Sequence, residues 1–113
     1  MTADYERLVA LGEVWVAREG DEVVGVLVLR PGPGSLFLEN VAVVPARQGS
    51  GIGSALLAFA EDHARSLGLG EITLYTNERM TENLTFYPAR GYVETERRFD
   101  EGFNRVFFRK TLT

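Results

Sequence analysis

Hydrophobic and polar positions divide this chain into segments with different periods. Val14-Trp15-Val16-Ala17-Arg18 reads as a strand, Gly20-Asp21 as a turn, and Val23-Val24-Gly25-Val26-Leu27-Val28-Leu29 as the returning strand of a hairpin. Ahead of it, Tyr5, Leu8, Val9 and Leu11 fall at helix-like spacing, which predicts a short helix within Thr2 to Leu11. Pro31-Gly32-Pro33-Gly34 is the strongest breaker in the chain. A third strand, Leu36 to Val44, follows and is ended by Pro45.

From Ile52 the period changes. Ile52, Leu56, Phe59, Ala60, His63 and Leu67 recur at three and four, the pattern of an amphipathic helix, and Gly68 and Gly70 supply its stop. Glu71 to Thr76 then reads as a strand and Thr81 to about Tyr87 as a short helix. Pro88, with no N–H to give, must end or bend that helix. Tyr92 to Phe99 and Arg105 to Thr111 read as two closing strands around a turn at Asp100-Glu101-Gly102. The order of strands, helix, strand, helix, strands predicts a mixed α/β fold. With no internal repeat, low-complexity stretch or linker, residues 1–113 are expected to form a single domain.

Composition narrows the chemistry. The 113 residues are 45% hydrophobic, 25% charged and 11% aromatic, which excludes a disordered or collagen-like chain. There is no Cys, hence no disulfide framework, thiolate metal site or thiol nucleophile, and a single His leaves the usual zinc sets out of reach. A net charge of −4 disfavours general nucleic-acid binding and weakly favours cationic or amine partners. The start, Met1-Thr2-Ala3-Asp4-Tyr5-Glu6, has no basic n-region or apolar stretch, and Val23 to Leu29 is too short to span a bilayer. A cytoplasmic domain without membrane or metal is the expectation. No G-x-S-x-G elbow or H-E-x-x-H pair supports a hydrolase.

The most informative stretch runs from Val41 to Ser54, through Pro45-Ala46-Arg47-Gln48-Gly49-Ser50-Gly51-Ile52-Gly53. A strand ends, a glycine-rich loop turns and a long helix begins. Glycines let successive N–H groups face one ligand, and a helix N-terminus adds unpaired donors and the positive end of its dipole. Together they form a cradle for an anion, phosphate above all; the alternative is a tight strand-to-helix turn without a ligand. A Walker loop would need a Lys where Gly53-Ser54-Ala55 has none. A dinucleotide fingerprint would need G-x-G-x-x-G, whereas Gly49, Gly51 and Gly53 alternate.

Gln48-x-x-Gly51-x-Gly53 after a strand closed by Pro45 closely resembles the pyrophosphate-binding signature of the GCN5-related N-acetyltransferases. Tyr87-x-x-x-Gly91-Tyr92, behind a short helix, is similar to that family's other acyl-CoA motif. The resemblance implies a mostly antiparallel twisted sheet flanked by helices. Its two central parallel strands, here Leu38 to Val44 and Ile72 to Thr76, splay to admit the pantetheine arm of acetyl-CoA. It assigns the pantetheine to Val41, Ala42 and Val43, with backbone groups of Val41 and Val43 bonding its amides and polarising the thioester carbonyl. Arg47, Gln48, Gly49, Ser50, Gly51, Ile52, Gly53 and Ser54 would hold the pyrophosphate.

By the same resemblance Tyr87 is the general acid; the alternative is a core residue beside Phe86. For the base, Glu39 stands two residues before Val41, where a carboxylate can reach the acceptor side; a solvated edge glutamate or a water chain are the alternatives. The position that carries a glutamate in some members is Tyr75 here, leaving it to line the acceptor site. Met80 stands where the family often has Asn, and Asn83, one turn before Tyr87, is a substitute on the same face or a surface residue. Members commonly carry a strand and helices before the first hairpin, whereas only Thr2 to Leu11 precedes it here. That leaves a truncated chain, an open acceptor pocket or a homodimer.

The implied function is transfer of acetyl from acetyl-CoA to a primary amine, small or peptide-borne, by direct attack in a ternary complex. The alternative is a non-catalytic acyl-CoA sensor or interaction module. Trp15 and Phe37 read as strand-core aromatics, and His63 as a half-buried packing residue. Arg97, Arg98, Arg105, Arg109 and Lys110 read as a solvated face balancing Glu94, Glu96, Asp100 and Glu101, although one of these arginines could meet an acidic substrate.

Overall fold

The computed structural model describes residues 7–11 and 13–113. Their elements are β1 (Arg7–Leu11), β2 (Val14–Glu19), β3 (Glu22–Pro31), β4 (Leu36–Val43), α1 (Ile52–Ser66), β5 (Glu71–Asn77), α2 (Thr81–Phe86), β6 (Val93–Asp100) and β7 (Phe103–Thr111). Short 3-10 turns at Pro45–Arg47 and Pro88–Arg90 follow β4 and α2. The strands form one sheet in the order β1-β2-β3-β4-β5-β7-β6, antiparallel except where β4 meets β5.

The turns are set by local chemistry. Gly20, at φ 64°, closes the β2–β3 hairpin. Glu101 and Gly102, at φ 49° and 85°, form the two-residue β6–β7 turn between the paired Asp100 and Phe103. At the end of α1, Gly68 is left-handed at φ 74°; its N–H reaches Arg65 O at 3.0 Å and Leu69 N–H reaches Ala64 O at 2.9 Å. These two crossed bonds satisfy the last free carbonyls and stop the helix.

The helix expected within Thr2 to Leu11 is not what forms. Arg7–Leu11 is a strand whose backbone pairs with β2 from Arg7↔Arg18 to Leu11↔Val14; residues 1–6 lie outside the described part. Three or four apolar residues at mixed spacing fit either period, and pairing with a neighbouring strand decides between them.

One core fills one face of the sheet. Ile52, Leu56, Leu57, Ala60 and Ala64 of α1 pack on Leu27, Leu29, Leu36, Leu38, Ile72, Leu74, Val106 and Phe108, each side chain contributing about 1.5–3 kcal/mol when large and fully buried. Leu84, Phe86 and Tyr87 join this cluster, so α2 lies on the same side. Among the described residues no helix covers the other face. Trp15 belongs to the core side, 4.8 Å from the Phe59 ring and 5.3 Å from His63, which itself stacks on Phe59. Phe37 departs from the expectation: by strand alternation it faces away from α1 and packs on Tyr75, at 5.7 Å, with Phe107 5.4 Å beyond.

Candidate active site

The parallel ladder between β4 and β5 is two residues long, Leu36↔Ile72 and Phe37↔Thr73, and then the strands part. Beyond Phe37 the edge of β4 that faces β5 has no strand partner, which leaves backbone donors and acceptors open along a wedge-shaped gap. A bulge sharpens the departure. Leu38 pairs with Leu29 but Asn40 with Val28, so Glu39 is an extra residue in β4, and the alternation shifts there.

The gap is a cleft of about 270 Å³ that runs through the sheet. Leu38, Thr76, Asn83 and Tyr87 line it from the helical side. Tyr75, Asn77, Phe103 and Arg105, of opposite strand parity, line it from the other, with Glu39, Asn40, Val41 and Met80 completing the walls. Of the residues named beforehand, Glu39, Val41, Tyr75, Asn83 and Tyr87 therefore meet in one place. Ala42 and Val43 extend the same open edge toward the glycine loop.

At that end the loop is held by its own side chains. Gln48 donates from Nε2 to Val43 O at 3.1 Å, and Ser50 donates from Oγ to Arg47 O. Arg47 turns back to Glu19, donating from Nε at 3.0 Å and also from Nη2, and this pairing holds the Glu19 carboxyl below its ordinary value. The guanidinium thus anchors the loop to β2, and a bound anion would meet chiefly backbone N–H groups. Gly49 and Gly51 lie at φ 83° and 93°, with open space where a side chain would stand. Gly51 caps α1; among the described residues no side chain bonds the first-turn N–H groups, and the first turn holds no acidic residue. Those donors and the helix dipole face the same opening. Gly53 lies against Phe86, whose ring is 3.6 Å from where a Cβ would be.

Tyr87 caps α2 and is 6% exposed. Its ring packs edge-on to Phe86 and Tyr92 and 5.8 Å from Phe108, while among the described residues its hydroxyl makes no hydrogen bond. Burial raises its pKa, so the phenol stays protonated through the neutral range. Asn83 donates from Nδ2 to Thr76 Oγ1 at 3.0 Å and lies 3.8 Å from the Met80 sulfur. Glu39 accepts from Arg30 Nε at 2.8 Å in an exposed pair on the lip of the cleft.

Residues not singled out beforehand complete the site. Thr76 is the buried partner of Asn83. Arg90 donates to Ser54 Oγ at 2.8 and 3.0 Å and to Phe86 O at 3.0 Å, with its guanidinium over the Phe86 ring at 3.8 Å, fastening the start of α1 to the end of α2. No local pattern in the sequence marks Arg90 for this role, since its partners lie on α1 and at the end of α2. Arg97, Arg98, Arg109 and Lys110 pair with Glu94, Glu96, Glu71 and Glu61. Tyr92 donates to the same Glu61 at 3.1 Å. Among the described residues no group of three metal-ligating side chains occurs, and no helix is long and apolar enough to cross a membrane.

A gap between two diverging parallel strands, opening onto a glycine-rich helix start, defines an acyl-CoA N-acyltransferase fold. The family model for the acetyltransferase (GNAT) family matches residues 2–92, and the chain belongs to that family. It is 31% identical over 109 residues to N-acetyltransferase 8F1 of Rattus norvegicus, covering 91% of this chain and 49% of the relative. It is 37% identical over 62 residues to the aminoalkylphosphonate N-acetyltransferase of Salmonella typhimurium, covering 55% and 40%. The chain thus spans about half the length or less of these two curated relatives. Among solved structures, a GNAT-family acetyltransferase from Desulfovibrio desulfuricans superposes with a TM-score of 0.81 at 26% identity, covering 88% of this chain and 69% of that one. A Bacillus subtilis acetyltransferase in complex with CoA gives 0.76 at 26%, covering 88% and 76%.

Proposed function

We propose that this chain is an N-acetyltransferase that moves the acetyl group of acetyl-CoA to a primary amine by direct attack. The observation that carries the reading is the unpaired edge of β4 running from the cleft into the uncapped N-terminus of α1. The Bacillus subtilis acetyltransferase in complex with CoA supports acetyl-CoA as the donor. The residues fit it: the open space above Gly49 and Gly51 leaves room for a diphosphate, and the free edge offers alternating N–H and C=O groups to amides.

Within the loop from Gln48 to Ser54, the N–H groups of Gln48 and Ser50 already bond Pro45 O and Arg47 O. Those of Gly49, Gly51, Ile52, Gly53 and Ser54 hold the diphosphate, the helix dipole offsetting its charge. Backbone groups of Val41 and Val43 bind the pantetheine amides and stabilise charge on the thioester oxygen as the amine attacks. Val43 O is taken by Gln48 in the free protein, so that bond must yield or be shared. Tyr87 offers its proton to the departing sulfur. Its raised pKa keeps that proton in place, and a thiolate needs little help to leave. The amine enters from the helix-free side, past Tyr75, and Glu39, directly or through water, takes its proton. Lacking Cys, the chain has no thiol to carry the acetyl group, consistent with a ternary complex.

The test is thiol release from acetyl-CoA with a panel of amines. Amine-dependent release that falls about a hundredfold in Tyr87→Phe, with CoA affinity unchanged, supports the reading. Tight CoA binding with no release for any amine would instead make the chain a sensor.

A further inference from the structure

The mouth of the cleft carries two charged side chains of opposite sign. Glu39 stands on the β4 wall; Arg105 stands on β7, across from Asn77 at the end of β5. Among the described residues no other charged side chain lines the cleft. The walls between them mix the polar Asn40, Thr76, Asn77 and Asn83 with apolar side chains, of which Tyr75, at 39%, Met80, at 54%, and Phe103, at 54%, are exposed.

Arg105 is built into this position. Its side chain is only 14% exposed, and its guanidinium lies over the Tyr75 ring at 4.2 Å, a stacking that fixes the plane. One N–H bonds Asp100 Oδ2 at 3.3 Å, and Glu101 stands 3.6 Å away; both acids are at the hairpin turn and Glu101 is largely in water. Among the described residues the remaining donors of the fork make no hydrogen bond, Nη2 having only the longer ion pair with Glu101. An arginine pinned on an aromatic face and lining a cleft, with donors to spare for hydrogen bonds, is suited to a planar or tetrahedral oxyanion.

We infer that the acceptor is a zwitterionic amine of the amino-acid type, with Arg105 binding its oxyanion, Glu39 facing its ammonium group and Tyr75, Met80 and Phe103 holding an apolar side chain. The inference rests on the acetyl-transfer reading for the direction of attack and goes beyond it in naming the substrate class. Glu39 pairs with Arg30, and Arg105 with Asp100 and Glu101, while both Glu39 and Arg105 line the cleft. A chain of net charge −4 would otherwise favour a plain cation; the local pair overrides that average.

The experiment compares amino acids with their decarboxylated twins: phenylalanine with phenethylamine, leucine with 3-methylbutylamine, methionine with 3-(methylthio)propylamine. The aminophosphonic analogue of each distinguishes carboxylate from phosphonate. Wild-type kcat/KM for the better oxyanion of at least one set should exceed that of its twin by about tenfold or more. In Arg105→Gln that ratio should collapse towards one, and Arg105→Lys should restore part of it, with thermal melts confirming that both variants fold. Equal or better use of the decarboxylated amines by wild type, or equal losses on acid and amine in Arg105→Gln, would overturn the inference. Calorimetry of the same sets in the presence of CoA reads the subsite without turnover. Arg105-dependent binding of an acid but no acetylation would leave the subsite standing and remove acetyl transfer, whereas no preference for any acid in binding or turnover would remove the subsite.

Discussion

Asn83 donates from Nδ2 to Thr76 Oγ1 at 3.0 Å, tying the helix capped by Tyr87 to the strand that forms one wall of the cleft. The hydroxyl of Thr76 is buried, with the Met80 sulfur, at 3.7 Å, as its other neighbour. The bond thus sets the distance between β5 and the helical turn that leads into Tyr87.

Thr76→Val keeps the shape and removes the acceptor, leaving the Asn83 amide with the sulfur alone. Stability should fall by about 1 kcal/mol. If the tie positions Tyr87, kcat should fall roughly tenfold while CoA affinity holds, because small displacements of a proton donor are felt in the chemical step. Thermal melts and steady-state kinetics on the same preparation separate the two effects.

Tyr87→Phe keeps the ring contacts with Phe86, Tyr92 and Phe108 and removes only the hydroxyl. Because burial raises the folded-state pKa above 10.0, the neutral phenol is favoured by folding. Its contribution to stability is complete below pH 10 and is lost as pH rises through the folded value. Wild type should lose stability above pH 10 more steeply than Tyr87→Phe, which denaturant melts across that range would show.

The elements that local chemistry decides were legible in the sequence. Gly20, Gly68 and the Glu101–Gly102 turn punctuate the chain where the structure turns, and the spacing from Ile52 onward gives α1 within a residue or two. What pairing across the sheet decides was not legible. Arg7–Leu11 becomes a strand through β2, and Phe37 faces away from the core through its register with Arg30 and Thr73. Among site residues, the glycine loop and Tyr87 carried signals of spacing. Arg105 was legible only as one of several arginines, since its place in the cleft depends on β7 lying beside a strand nearly thirty residues away in sequence. Arg90 and Thr76 are defined by partners on other elements, which no local pattern announces.

Gly51→Ala puts a side chain at φ 93°, at the cap of α1. Left-handed geometry costs an L-residue about 1–2 kcal/mol. Nothing in the protein crowds the new methyl, so stability should fall by about that amount, whereas a diphosphate on those N–H groups would collide with it. CoA affinity should fall tenfold or more, read by calorimetry on folded protein.

Gly25→Ala tests the seat of α1. A Cβ there would lie 3.0 Å from Leu56 Cδ1 and 3.3 Å from Ile52 Cγ2, both on the helix face that packs on β3. Overpacking should cost about 1–3 kcal/mol. The melting temperature should drop by several degrees, and CoA affinity should fall with it because Ile52 begins the helix that carries the cradle.

The central claim is that the open β4 edge and the uncapped start of α1 form an acyl-CoA site. Calorimetric titration of acetyl-CoA into the folded chain, with ATP and NAD as controls, tests it directly. Micromolar binding of acetyl-CoA that neither nucleotide matches is the predicted result. Folded protein that binds no acetyl-CoA, or binds all three alike, would contradict it.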